Sequence, residues 1–224
     1  YRDSSSLLQV PCSFVAIPAK IPMMGINRLE GFLDIIMPTG RTGLAVMSWE
    51  QRQAALDAPK WNDKISKAIF RGRTTGINFA ELKRKGLPLT ISQRFKLHEM
   101  AQEQREGRLD CSVPLDFGIS SFWQFNGEAE DLEIYTEMYP LVSHLTYAEQ
   151  FNAKYQVVVD GNGWPDRVAS MLLSGSLVFL ATIHEDWVIR QLQDGVHYIK
   201  VKPDLSDLVE KLEWAFSNDH EASK

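Results

Sequence analysis

Two glycine-punctuated segments carry the side chains best suited to chemistry in this 224-residue chain. Arg71-Gly72-Arg73-Thr74-Thr75-Gly76 follows the apolar triplet Ala68–Phe70, which reads as a short strand. Glycines let backbone N–H groups approach an anion, while the arginines and hydroxyls add charge and further donors. The bland alternative is a surface turn with two solvated arginines. The second segment is Asp160-Gly161-Asn162-Gly163-Trp164-Pro165-Asp166-Arg167. Pro165 suits the first turn of a helix, and a helix N-terminus offers unpaired N–H groups and a positive dipole end to phosphate. Arg167, one turn in, would add a bidentate contact to a diphosphate. Trp164 would stack on a base or sugar, or pack against the sheet. Neither a Walker A loop nor a dinucleotide fingerprint is present, since Asp166 holds the place of the third glycine. On spacing alone this is an anion site of unspecified owner.

Other residues offer less. His98, His144 and His197 have no partners at metal-ligand spacing and read as structural histidines. His184-Glu185-Asp186 follows a strand end and so lies on the ligand side of a parallel sheet, where three polar residues are often only a turn. No Gly-x-Ser-x-Gly elbow provides a serine nucleophile. No Asp-x-Asp triplet provides paired carboxylates for a divalent metal on a nucleotide diphosphate, so no metal site is expected. Arginines and a helix N-terminus would have to serve instead.

Charge is unevenly spread. Residues 64–108 hold eleven Lys and Arg against four Asp and Glu, whereas residues 109–150 hold eight acidic residues and no Lys or Arg. Such blocks are either solvated helix faces or, for the basic one, a surface facing an anionic ligand. The net charge of -5 argues against a dedicated nucleic-acid binder. Hydrophobic residues at 44% and charged residues at 24% fit a globular protein with a sizeable core. No run of eighteen apolar residues is present to span a membrane. Cys12 and Cys111 are too few for a disulfide framework. The chain opens at Tyr1 and shows no signal peptide or retention signal, which reads as a mature chain or a piece of a longer protein.

The elements that must position these residues change character along the chain. Residues 1–60 are rich in Pro and Gly and read as irregular structure with a helix near Ser48–Asp57, ended by Pro59. From Trp61 onward strands alternate with helices. Thr146-x-x-Glu149 is a capping box opening a helix Tyr147–Lys154. Tyr155–Val159 reads as a buried strand. Asp166–Leu173 is a helix ended by Gly175, Ser176–Ala181 a strand, Trp187–Leu192 a short helix and Val196–Val201 a strand. A last helix starts at Asp204 or Ser206, with Leu205, Leu208, Val209, Leu212 and Phe216 on one stripe. The alternation predicts a doubly wound α/β fold with a parallel sheet over 61–224, and a separate partial domain over 1–60. Ligands of such a sheet sit beyond the carboxyl ends of its strands.

Four ordered motifs carry a resemblance. They are Phe70-Arg-Gly-Arg-Thr-Thr-Gly76; Lys154-Tyr155 with Asp160-Gly-Asn-Gly-Trp164 and Arg167; Leu173-Ser-Gly-Ser-Leu-Val-Phe179; and His197-Tyr-Ile-Lys-Val-Lys-Pro-Asp-Leu-Ser-Asp-Leu208, continued by Trp214 and Asn218-Asp219. Together, from about Phe32 to the C-terminus, the chain resembles glycosyltransferase family ninety, the capsule-associated and Rumi-type (KDEL-motif) protein O-glucosyltransferases. The resemblance implies a GT-B fold, here the whole Rossmann-type donor half and the tail of an acceptor half. It implies metal-independent, inverting transfer of glucose or xylose from UDP-glucose or UDP-xylose, with no other cofactor, to a protein Ser/Thr or a glycan hydroxyl. It places the protein in the endoplasmic reticulum or Golgi lumen, with any membrane anchor outside this segment.

By position, Arg71, Gly72, Arg73 and Thr74, Arg94, and the run Asn162, Gly163, Trp164, Pro165, Asp166 and Arg167 would bind the donor. Arg73 departs from the family's Phe-Arg-Gly-Ser, replacing Ser with a bulkier side chain. Asp34-Ile35 resembles an element downstream of the family's catalytic Asp. Asp3 lies at about the right distance to be that base, without the Pro that usually follows; otherwise the base precedes Tyr1 or has been lost. The alternative from another class is a non-catalytic nucleotide- or carbohydrate-binding family member lacking the base. Another phosphate-using α/β transferase is the runner-up among enzymes.

Overall fold

The computed structural model describes residues 24–29, 31–32, 34–37 and 47–224, so Asp3 and Cys12 lie outside the described residues. Three short strands open it: β1 (Met24–Gly25), β2 (Asn27–Leu29) and β3 (Ile35–Ile36). The central sheet uses β4 (Ile65–Arg73), β5 (Leu115–Ser121), β6 (Ala153–Val159), β7 (Leu177–Ala181) and β9 (Ile199–Lys200). All five are parallel, in the order β5-β4-β6-β7-β9. The chain thus winds outward from β4 to β5, crosses back to β6, and continues the other way. The reversal leaves a crevice between β4 and β6, the switch point where ligands of open α/β sheets bind.

Every residue of β6 is buried, because helices cover both faces of the sheet. Its side chains alternate between two cores. Tyr155, Val157 and Val159 join Leu97 and Met100 of α3 (Gln93–Arg105) and Leu208, Leu212 and Ala215 of α7 (Leu208–Ser217). Val158 joins Ala55 of α1 (Trp49–Leu56) and Val168 and Met171 of α6 (Val168–Leu173). A third, aromatic core gathers Phe79 of α2 (Phe79–Lys85), Phe95 and Tyr139, which follows α4 (Ala129–Met138), behind the carboxyl end of β5. Full burial of each Val, Leu, Phe or Met side chain among them contributes about 1.5–3 kcal/mol.

The sequence reading needs several boundary corrections, each with a pairing or packing cause. β4 runs through Arg73, so Arg71–Arg73 is strand rather than loop. Its pairing with β5 extends to Gly72 opposite Ile119 and, past an irregularity, to Arg73 opposite Ser121. The capping box is present, but α5 (Tyr147–Gln150) stops early because Ala153 must pair with Ile65. His184–Asp186 is not a turn: it is β8, antiparallel to β2 across more than 150 residues of chain. The segment 187–192 supplies only a single 3-10 turn, Ile189–Gln191, and 196–201 only the two residues of β9. The last helix begins at Leu208. Leu205 precedes it with φ of 60°, and the inward stripe is Leu208, Leu212 and Ala215, with Phe216 rotated out to 42% exposure.

The described residues before Trp61 dock on the later part. β2 pairs with β8, and α1, whose Ser48 and Gln51 form a capping box, packs on α6. At the amino edge of the sheet, Lys154 pairs with Asp219 of α8 (Asp219–Ala222) at 2.6 Å, and Trp61 Nε1 donates to the same carboxylate. Lys154 also lies over the Trp61 ring.

Candidate donor-binding site at the switch point

The loop after β4 and the loop after β6 touch each other at the crevice. Gly76 N donates to Asn162 Oδ1 at 2.7 Å, and Asn162 Nδ2 donates to Gln124 Oε1 at 3.0 Å. Gly76 has φ of 76°, and a Cβ there would fall 2.1 Å from the Gly161 carbonyl oxygen. Both the conformation and the approach require glycine.

Two arginines, one outside the glycine clusters and one at the end of the second, tie the crevice together. Arg94, on the first turn of α3, is 8% exposed. Its Nε donates to the Asp160 carbonyl at 2.9 Å and its Nη1 to the Arg73 carbonyl at 2.8 Å. One guanidinium thus joins the ends of β6 and β4. Burial, reinforced by the neighbouring Arg167 charge, pushes its pKa down to about 10, so it is still a cation at neutral pH. Its Nη2 lies beside Gly161, where a Cβ would come within 3.0 Å. Gly72 has the same explanation, since a Cβ there would meet Arg94 Nη1 and the Phe70 ring at 2.8 Å. Its role is to admit Arg94. Arg167 Nη1 donates to the Arg71 carbonyl at 2.8 Å.

The polar side chains of the first glycine cluster already have partners within the chain. Arg71 Nη1 donates to the Asp116 carbonyl at 2.6 Å and Nη2 pairs with the Asp116 carboxylate, bracing β4 to β5. Arg73 lies over Trp123, 4.7 Å from the ring centroid. Thr74 is buried and its hydroxyl exchanges hydrogen bonds with the Trp123 backbone, donating at 3.1 Å and accepting at 2.8 Å. In the second cluster, α6 begins only at Val168 with Arg167 as its N-cap, so Pro165, Asp166 and Arg167 form a turn rather than the helix start the sequence predicts. Trp164 is half-buried and Pro165 is buried.

A cleft of about 310 Å³ opens here, lined by Arg71, Gly72, Arg73, Arg94, Asp166 and Arg167 of the expected residues. With Arg71 paired to Asp116, three guanidinium groups stand against one carboxylate, Asp166, in that set and make its wall cationic. Thr75, one of the hydroxyls of the first segment, and His144, read from the sequence as structural, also line it, as do Ser120, Leu145, Tyr147 and Gln150, which escaped the sequence reading. Ser120 was discoverable, because it lies in the last two residues of β5, at the same edge. His98 is buried, its Nδ1 accepting from Ile119 N at 3.4 Å, and burial lowers its pKa to about 4. His197 Nδ1 accepts from Gln193 N. Among the described residues no three His, Cys, Asp or Glu side chains gather as metal ligands, and no helix is long and apolar enough to cross a membrane.

A doubly wound α/β sheet with an arginine-lined cleft at its switch point defines the class. The chain belongs to glycosyl transferase family 90, whose model matches residues 15–224. It is 32% identical over 203 residues to Protein O-glucosyltransferase 2 of Danio rerio, covering 85% of this chain and 34% of that protein. It is 28% identical over 167 residues to human Protein O-glucosyltransferase 3, covering 74% of this chain and 27% of that protein. Uncharacterized protein 035R of invertebrate iridescent virus 3 is 28% identical over 217 residues, covering 89% of this chain and 18% of that protein. The chain thus spans about a third or less of these relatives.

Proposed function

We propose that the chain is the donor-binding half of a GT-B glycosyltransferase that moves glucose or xylose from a UDP-sugar to a hydroxyl of a protein or glycan. The observation that carries this reading is the convergence of Arg94 and Arg167 on the two loops of the switch point, in a chain of this family. The diphosphate lies along Asn162–Arg167, where Arg94 and Arg167 stabilise the charge that grows on it as it leaves. Asp3 is the proposed base. It takes the proton of the acceptor hydroxyl, whose oxygen bonds to the anomeric carbon as the bond to UDP breaks on the opposite face, inverting that centre. The arginine-rich wall supports metal-independent donor binding. The names of the relatives support a protein acceptor, and the family resemblance supports a location in the endoplasmic reticulum or Golgi lumen.

Thermal unfolding with UDP, UDP-glucose and UDP-xylose tests the reading. A ligand at about 100 times its Kd should add roughly 2.7 kcal/mol of stability. The protection should persist in EDTA. No protection by any of the three would remove the proposal, and protection that vanishes with EDTA and returns with Mg²⁺ or Mn²⁺ would remove its metal-independent part.

A further inference from the structure

Two successive residues of α3 hold the end of β6, and Arg94 is only the second of them. Gln93 Oε1 accepts from Asp160 N at 3.0 Å. Its Nε2 donates to the Ala181 carbonyl at 3.1 Å and to the Pro203 carbonyl at 2.8 Å. Asp160 is the first residue past β6, Ala181 ends β7, and Pro203 follows β9. At such points the chain leaves the sheet ladder and its backbone groups need new partners. A carboxamide suits all three, offering an acceptor and two donors in one plane. Together with the Arg94 bonds to the Asp160 and Arg73 carbonyls, adjacent side chains of one helix gather the carboxyl ends of β4, β6, β7 and β9.

We infer that Gln93 is a positioning residue of the donor site, acting through Asp160, an inference that rests on the UDP-sugar reading above. Both backbone polar groups of Asp160 are taken by α3, the N–H by Gln93 and the carbonyl by Arg94. The loop to Arg167, which carries the proposed diphosphate contacts, therefore leaves the sheet in one direction. Without Gln93, Asp160 keeps its carbonyl on Arg94 and its carboxylate on Thr182 and Ile183. Its N–H loses its partner, and the backbone, held at one group instead of two, is free to turn about the Arg94 bond. Affinity then falls in proportion to the fraction of protein whose loop is in the competent arrangement.

The same helix supplies a control. Gln104, about three turns further along α3, makes the same three-way contact at the amino edge of the sheet. Its Nε2 donates to the Cys111 and Val113 carbonyls at 2.8 and 2.7 Å, and its Oε1 accepts from Leu115 N at 2.8 Å. Both glutamines are half-buried. If they merely held α3 to the sheet, losing either would have the same consequence.

Calorimetric titration of wild type, Gln93→Met and Gln104→Met with UDP, beside their midpoints of chemical denaturation, tests this. Methionine keeps the length of the side chain and removes all three bonds, so the two midpoints should fall by similar amounts. UDP affinity should fall about tenfold in Gln93→Met, as for a competent fraction of about one tenth, and stay within about twofold of wild type in Gln104→Met. Affinity within about twofold of wild type in Gln93→Met, or an equal loss in Gln104→Met, would overturn the assignment. If Gln93→Met does not fold, Gln93→Asn, which keeps the amide but withdraws it by one methylene, is held to the same limits. Failure of wild type to bind UDP would strike the UDP-sugar reading, and hydrogen exchange would then decide the positioning of the loop by itself. The Gly161 amide, bonded within the loop to the Gly163 carbonyl, should exchange about tenfold faster in Gln93→Met than in wild type or Gln104→Met. Equal exchange in the two variants would overturn it.

Discussion

The two arginine-bearing segments look equivalent as sequence and do opposite work in the fold. Arg71 and Arg73, in the denser motif, are engaged sideways along the sheet, one with Asp116 and the other with Trp123. Arg94, with no glycine beside it in sequence, and Arg167, at the end of its loop, bind the carbonyls that set the shape of the crevice. Proximity to glycine therefore marks where backbones come close, as at Gly72 and Gly76. It does not mark which guanidinium ties the crevice loops together. The organiser of the site comes from a helix, because a side chain rising from α3 reaches the ends of β4 and β6 together.

Breaking Arg94 should have the largest effect. Arg94→Ala removes two charge-assisted bonds and leaves the Asp160 and Arg73 carbonyls without that donor, in a place where Gly72 and Gly161 have been fitted around the guanidinium. Stability should fall by about 3 kcal/mol or more, read from the midpoint of chemical denaturation. Arg94→Lys should recover only part, since one ammonium cannot span two carbonyls in the same fork. A loss below about 1 kcal/mol for Arg94→Ala would show that the two loops hold together without it.

Arg167→Ala should separate binding from folding. Arg167 is half-buried and gives one bond to the Arg71 carbonyl, so the fold should survive with a loss of about 1 kcal/mol. UDP affinity should fall about 10–100-fold by calorimetry, the worth of a charge-assisted contact to a diphosphate. Unchanged affinity in the folded variant would mean that the diphosphate does not lie on this loop.

What the sequence made legible was whatever is local or periodic. The β-branched run 155–159 is a buried strand because both its faces are covered. Thr146 and Glu149 cap a helix because the pair closes within one turn, and Leu208 and Leu212 share a stripe one turn apart. What stayed hidden depends on distant partners. The length of β4 is set by β5, and His184–Asp186 becomes a strand only because Asn27–Leu29 lies alongside it. Arg94 was visible as a site residue only through the family resemblance, since nothing nearby in sequence announces the two carbonyls it reaches. The glycine motifs were read as places where backbone N–H groups approach an anion; in the structure Gly76 meets the Gly161 carbonyl and Gly72 an arginine of the same chain.

The smallest effect should come from Arg73, and it gives the sharpest test of the contrast. Its guanidinium lies over Trp123 at the rim of the cleft, in solvent, where a cation–π contact is worth about 0.5–1 kcal/mol. Arg73→Ser, which installs the residue common in the family at this place, should cost no more stability than that. UDP affinity should stay within about threefold of wild type, corresponding to less than about 1 kcal/mol. The small hydroxyl keeps one donor at the mouth of the site and frees the space the arginine fills. If Arg73→Ser weakens UDP as much as Arg167→Ala does, the guanidinium must leave Trp123 for the ligand, and the two segments would then share the diphosphate instead of dividing bracing from binding.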